Sequence, residues 1–346
     1  MDQRRRRVLA LGSGGLAAGL AGCLGRLRGD GGASTTGRTA LSTIETEGSI
    51  SDITYYYGLD AGVWEAHGID LSFEVAAFGK YNRQIVTGAS EIGAPSTVAQ
   101  LKFVDRGEDL ALVGQQLNMF NRMFVRADEE SIEDPGDLGG KRVGLPASKT
   151  STTSTTHRVL VEDEYGIDLL SDPAETRTAP PAALWEFLQK GELDAISEFS
   201  GHTIKGIASD SVRTIFDPYE LWTDRTGREL PTTTYTVRRD WLADNADTVV
   251  RFLRGWQDAM ALFAEETDAA IEEYGDVAGI TTEAEAAVVR DLVNDGVVYG
   301  PAFFDEEGVA SNWEFVELLA DADVLSALPD RDRLFATESD LESTGA

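Results

Sequence analysis

The chain has 346 residues, with 30 basic against 60 acidic side chains, a formal charge of −30 and one cysteine. So large an acid excess excludes nucleic-acid binding, which rests on Lys and Arg against phosphate, and a single thiol excludes an internal disulfide. Hydrophobic residues make up 42% of the chain and recur periodically, which excludes an acidic disordered protein.

The first element is an export signal. Arg4 to Arg7 precede a 14-residue apolar run, Val8 to Ala21, rich in Gly and Ala. A membrane-spanning helix needs about 20 apolar residues, so this run is too short. A charged start, a short apolar centre and small residues before a cut site describe a signal peptide. Arg5-Arg6-Arg7-Val8-Leu9 fits the twin-arginine pattern. Leu20-Ala21-Gly22-Cys23 has the form of a lipobox, in which the Cys23 thiol is acylated after cleavage. Loss of residues 1–22, with four Arg and one Asp, leaves the mature chain at −33. Only six of the 30 basic residues are lysines, and this composition reads as a halophile surface whose self-repulsion salt screens. Residues 26–49 contain 13 Gly, Ser or Thr in 24 and read as part of a flexible tether over 23–49.

From Ile50 short apolar runs alternate with amphipathic stretches, which predicts α/β architecture. The pattern predicts a strand over 52–57, a short helix over 61–66, a strand over 71–76, a helix from Asn82 and a brief strand over 91–93. Ser96 is placed to cap a helix reaching Val104, and strands follow over 110–114 and 123–126. Asp137, Gly139 and Gly140 turn into a buried strand over 142–145. The hydroxyl run Ser148 to Thr156 leads into a helix over 157–165. Pro180 and Pro181 open a helix ended by Gly191, before a strand over 193–196. A strand over 234–238 precedes a long helix from Asp247, then helices over 283–293 and 312–320 and a frayed acidic tail. Residues 85–96 and 187–200 share one plan, helix end, Gly, short acidic strand and small polar turn, which suggests one unit used in each of two lobes.

Four segments carry a resemblance: "YYYGLDAGVWEAHGIDLSFE" (55–74), "DLGGKRVGL" (137–145), "LQKGELDAI" (188–196) and "YTVRRDWLADNADTVVRFLRGWQDA" (235–259). Together they resemble the type II solute-binding proteins of ABC importers, in the group that takes sulfonates, taurine, nitrate and thiamine precursors. The opening departs from that pattern in having Val63-Trp64 where a Gly-Phe pair is usual. The resemblance implies a two-lobe type II periplasmic-binding-protein fold, with a ligand cleft between the lobes and two crossing strands as hinge. The expected divisions are 1–22 signal, 23–49 tether, 50–124 first part of lobe 1, 125–234 lobe 2, 235–335 second part of lobe 1, and 336–346 acidic tail.

Ligands of open α/β lobes bind beyond the carboxyl ends of strands, near helix N-termini. That rule selects Tyr55 and Tyr57; Lys80, Tyr81 and Asn82; Ser96 and Thr97; and Gln116 and Asn118. It also selects Lys149, Thr150, Ser151, Thr152 and Thr153 as an anion cradle, and Glu198 and Phe199 for a ring or amino group. Lys80 and Lys149 favour a small anionic solute; the tyrosines, Phe199 and Glu198 would suit a pyrimidine or thiamine precursor instead. His67, His157 and His202 are far apart without cysteine partners, so no metal is expected. No cofactor is expected either, nor an enzyme on this fold, since the sole thiol sits at the anchor. The expected partners are the solute, an ABC permease with its ATPase, and the membrane through the lipid, for a monomer on the outer face of the cell.

Overall fold

The computed structural model describes residues 37–344. The export signal, Cys23 and the first part of the expected tether lie outside them.

The first lobe is built on β1 (Thr39–Thr46), which runs parallel to β2 (Ile69–Ala76) with Thr39 opposite Ile69. Beside it β10 (Thr234–Arg238) pairs antiparallel with both β3 (Ile92–Gly93) and β4 (Leu110–Gln115). The second lobe holds a five-stranded sheet in the order β7-β6-β8-β5-β9, made of β5 (Met123–Arg126), β6 (Arg142–Pro146), β7 (Glu175–Ala179), β8 (Ala195–Ser197) and β9 (Val212–Phe216). The chain therefore leaves the first sheet after β4 and returns to it at β10. The two crossing segments run side by side, with Asn118 bridged to Pro231 and the Met119 N–H donating to the Leu230 carbonyl. This is the expected two-lobe α/β arrangement with paired crossing strands.

Helices cover the sheets. Those between β1 and β4 are α1 (Ile50–Asp60), α2 (Val63–Ala66), α3 (Phe78–Arg83) and α4 (Thr97–Asp105). The second lobe contributes α5 (Thr152–Tyr165), α6 (Pro181–Gln189), α7 (Gly201–Ile207) and α8 (Pro218–Thr226). After β10 come α9 (Arg239–Glu265), α10 (Thr267–Tyr274), α11 (Glu283–Asn294), α12 (Glu306–Asp321), α13 (Arg331–Leu334) and α14 (Glu338–Thr344).

Several expectations are corrected. Residues 52–57 are helical, not a strand. Ser49 caps α1, and Ile50, Ile53, Thr54 and Tyr57 follow helical spacing. Because Ile50 through Tyr55 are all buried, α1 shows no one-sided stripe and its β-branched and aromatic letters misled. The strand expected there lies earlier: β1 occupies 39–46, inside the stretch expected as tether. Its buried positions carry Thr43 and Glu45 as well as Leu41 and Ile44, so hydrophobicity did not mark it. Asn82 lies inside α3, which opens at Phe78. Helix α5 begins at Thr152, so the hydroxyl run forms its first turn, and α9 begins at Arg239 with a kink at Asn245. The acidic tail is docked, not frayed: Phe335, Ala336 and Leu341 are buried, and Arg254 pairs with Glu342 at 2.8 Å. The strands β7 and β9 and the helices α8 and α10 had no counterpart in the sequence reading.

The first lobe's core is aromatic. Tyr55 stacks on Trp64 and Phe73, and Tyr235 and Trp256 close the cluster. Gly255 is required by this packing, since a Cβ there would lie 2.6 Å from the Trp64 ring.

Candidate functional site

Between the lobes lies a cavity of about 190 Å³. The first lobe supplies the β1–α1 turn (Thr46 to Ser49), Phe78 and Tyr81 of α3, and Ser96 before α4. The crossing segments add Leu117, Asn118, Phe120, Asn121, Thr232 and Thr233. The second lobe contributes Ala147, Ser151, Thr152, Thr153, Phe199 and Ser200. Four aromatic rings, Phe78, Tyr81, Phe120 and Phe199, share the lining with hydroxyls and amides. Among the described residues no lysine or arginine lines it.

The lobes touch over this cavity. The Ser200 hydroxyl donates to the Gly48 carbonyl at 3.1 Å, and Lys102 of α4 donates to the Thr150 carbonyl at 3.4 Å. Both Ala147 (φ 60°) and Ser200 (φ 45°) hold left-handed backbone without being glycine. Such conformations cost on the order of 1–3 kcal/mol and persist where the surroundings impose them, commonly at ligand sites.

Helix starts frame the polar side. Ser49 caps α1, Ser96 precedes α4 and Ser151 caps α5 by accepting from the Ser154 N–H. The first N–H groups of a helix lack intrahelical acceptors and favour negative or acceptor-rich groups. Thr152, at the first position of α5, is 5% exposed, and its hydroxyl has no partner among the described residues. A buried unpaired hydroxyl is costly unless a ligand satisfies it.

Asn121 fixes this geometry. Its amide donates to the Thr153 hydroxyl at 2.9 Å and accepts the Ser200 N–H at 3.0 Å. Its backbone carbonyl receives the Nε2 proton of buried His157, while Ser197 donates to Nδ1. Burial pushes His157 down to about 4, so the ring stays neutral.

Of the residues selected from sequence, the cavity gathers Tyr81, Ser96, Asn118, Ser151, Thr152, Thr153 and Phe199. Tyr81 also donates to the Ala94 carbonyl, and the Asn118 amide donates to Val297. The others do not line the cavity. Tyr55 is core and bonds Tyr235, whereas Tyr57 pairs with Glu266 on the outside. Lys80 is exposed on Glu74, and Lys149 and Thr150 are exposed. Asn82 is an internal brace accepting the Ser96 N–H. Thr97 turns its hydroxyl, also unpartnered, into buried surroundings. Gln116 lies beneath the wall, donating to Glu45. Glu198 is buried outside the lining with neither oxygen partnered among the described residues, and burial raises it well above the usual carboxylate range. The β1–α1 turn, Phe78, Phe120, Asn121, Thr232, Thr233, Ala147 and Ser200 escaped the sequence reading. The turn was absorbed into the supposed tether, and the crossing segments carry no local signal of their tertiary meeting.

The family described as NMT1/THI5 like matches residues 50–270. The chain belongs to the NMT1/THI5-like family. No curated protein matches it. Among solved structures, the periplasmic aliphatic sulphonate binding protein SsuA of Escherichia coli superposes with a TM-score of 0.68 at 17% identity, covering 86% of this chain and 92% of that one. The alkanesulfonate-binding protein SsuA of Xanthomonas axonopodis pv. citri, bound to MOPS, gives 0.65 at 16% identity, covering 86% and 98%. DszB, as a cysteine-to-serine mutant with biphenyl-2-sulfinic acid, gives 0.59 at 17% identity, covering 88% and 98%. At these identities the likeness is one of fold, the type II periplasmic-binding-protein fold.

Proposed function

We propose that the protein is the solute receptor of an ABC importer, holding a small anionic organic solute of the sulfonate, taurine or nitrate-like kind between its lobes and delivering it to the permease. The observation that carries this reading is the cavity between the lobes, lined by Thr152, whose buried hydroxyl is unpartnered among the described residues. The sulfonates named for the two SsuA structures support the solute class. No cation is required, because helix N-termini and hydroxyls meet the charge. Phe78, Phe120 and Phe199 would cover the organic part.

The same proposal includes twin-arginine export, a lipid on Cys23 holding the receptor to the outer face of the membrane, a monomeric state, and a surface suited to high salt. It also holds that the protein is not an enzyme. The Ser197–His157 pair is buried outside the cavity lining with the ring's other nitrogen committed to a carbonyl, so it positions rather than attacks. A second reading, a pyrimidine or thiamine precursor as ligand, is favoured by the aromatic residues Phe78, Tyr81, Phe120 and Phe199 in the lining.

Thermal unfolding in multimolar salt against sulfonates, taurine, nitrate, pyrimidines and thiamine precursors tests the proposal. A ligand at a hundredfold excess over Kd adds about 2.7 kcal/mol. A shift with sulfonates is expected. A shift with heteroaromatics alone would replace the solute class, and none with any would remove the receptor reading's support.

A further inference from the structure

Beneath the cavity, Glu45 is fully buried and has no ion-pair partner among the described residues. Its Oε1 accepts from the Gln116 amide at 2.8 Å, and its Oε2 lies 3.2 Å from the Ser51 hydroxyl. Ser51 Oγ in turn lies 2.6 Å from Ser49 Oγ, and Ser49 lines the cavity. The Gln116 orientation is fixed from its other side: Thr233 accepts the Leu117 N–H and donates to Gln116 Oε1.

We propose that Glu45 is a protonated positioning residue that, through Ser51, turns the Ser49 hydroxyl into a hydrogen-bond donor for the acceptor group of the solute. The proton inventory decides the direction. With its proton on Oε2, Glu45 donates to Ser51, Ser51 donates to Ser49, and Ser49 also accepts the Ser51 N–H at 3.4 Å. Both Ser49 lone pairs are then filled, leaving its own proton for the cavity. An ionised Glu45 reverses every link, because Ser51 would donate to the carboxylate and Ser49 to Ser51. The wall would then present a lone pair and repel a sulfonate oxygen.

The surroundings favour the protonated form. A carboxylate buried without a cation is costly and neutralises instead. The groups facing it are Asp52 and Tyr55 of α1, Tyr81 of α3, Tyr235 of β10 and Tyr299, all of which are acids or phenols. Burial, then the neighbouring Asp52, raises Glu45 well above the carboxylate range.

The inference about solute recognition rests on the receptor reading, whereas the protonation state does not. Infrared spectroscopy of the unliganded protein at pH 7 should show protonated carboxyl absorption, to which buried Asp52 and Glu198 also contribute, and Glu45→Gln should remove one component of it; an absorption unchanged by Glu45→Gln would overturn the proposal whatever the ligand. Methanesulfonate titrations supply the second arm. Ser49→Ala and Glu45→Leu should each weaken binding about tenfold, the loss expected for one hydrogen bond to a charged group. Glu45→Gln should restore it, because its amide donates permanently to Ser51. Weakening in Glu45→Gln equal to that in Glu45→Leu, or wild-type affinity in Ser49→Ala, would contradict the relay. If Glu45→Leu does not fold, the Gln and Ser49→Ala variants still decide. If methanesulfonate fails to bind the wild type, pyrimidine, whose ring nitrogens are acceptors, serves as probe. Should neither bind, the infrared result alone decides the state of Glu45, and the receptor reading is judged by the wider panel of solutes.

Discussion

Ser200 of the second lobe donates its hydroxyl to the carbonyl of Gly48 in the first, across the mouth of the cavity. The next residue, Gly201, passes so close to the first lobe that a Cβ would lie 2.6 Å from the Ala278 carbonyl. The close approach of the lobes at this point thus requires a residue without a side chain. Gly201→Ala should hold the lobes apart, weakening methanesulfonate binding at least tenfold and enlarging the radius of gyration. Unchanged scattering and affinity would show that the contact does not govern closure.

The two lysines that look most like anion ligands in the sequence are predicted to be spectators. Lys80 pairs with Glu74 at 2.5 Å and Lys149 is exposed. Lys80→Ala and Lys149→Ala should leave the Kd for methanesulfonate within twofold. Lys102→Ala removes a bond between the lobes and should weaken binding severalfold, as calorimetric titration would show.

Two buried groups give stability opposite slopes with pH. Burial, opposed by backbone hydrogen bonds from Ser49 and Gly48, raises Asp52 to about 8. The folded protein therefore keeps a proton that the unfolded chain loses near 4, and stability falls as pH rises from about 4 to 8. His157, near 4 when folded, binds its proton only in the unfolded chain between about 4 and 6.5, so its contribution is lost as pH falls through that window. Asp52→Asn should make the decline above pH 6.5 shallower by up to about 1.4 kcal/mol per pH unit, leaving the share of the other raised carboxyls, Glu45 and Glu198. Chemical denaturation at pH 6.5 and 8 checks this, and an undiminished slope in the variant would refute it.

Gly255→Ala should destabilise the first lobe by roughly 1–3 kcal/mol, because the added methyl meets Trp64 in a core without slack. Denaturant midpoints for the two proteins measure it; a change under 0.5 kcal/mol would contradict the packing argument.

How far the sequence spoke depends on what each element buries. Strands β4, β5 and β6 were legible because their apolar runs sit between turn residues, and β10 because a long amphipathic helix follows it. Helix α1 was misread because it is buried nearly all round. The first strand was hidden because its interior positions hold Thr43 and Glu45. In the site, Ser151 to Thr153 were legible as hydroxyls opening an apolar helix, a local pattern. Asn121, Thr232 and Thr233 were not, since their meaning arises only where the two crossing segments meet. Lys80 and Lys149 misled because a long charged side chain in the right loop can still point to solvent.

Solute held between the lobes, with Thr152 as one of its ligands, is the central proposal for this protein. Thr152→Val keeps the side-chain shape and removes only a buried, unpartnered hydroxyl, so the fold should lose no stability. Calorimetric titration of wild type and Thr152→Val with methanesulfonate in multimolar salt tests it most directly. The account predicts one site per chain in the wild type and about tenfold weaker binding in the variant. Equal affinity in the two proteins would contradict it.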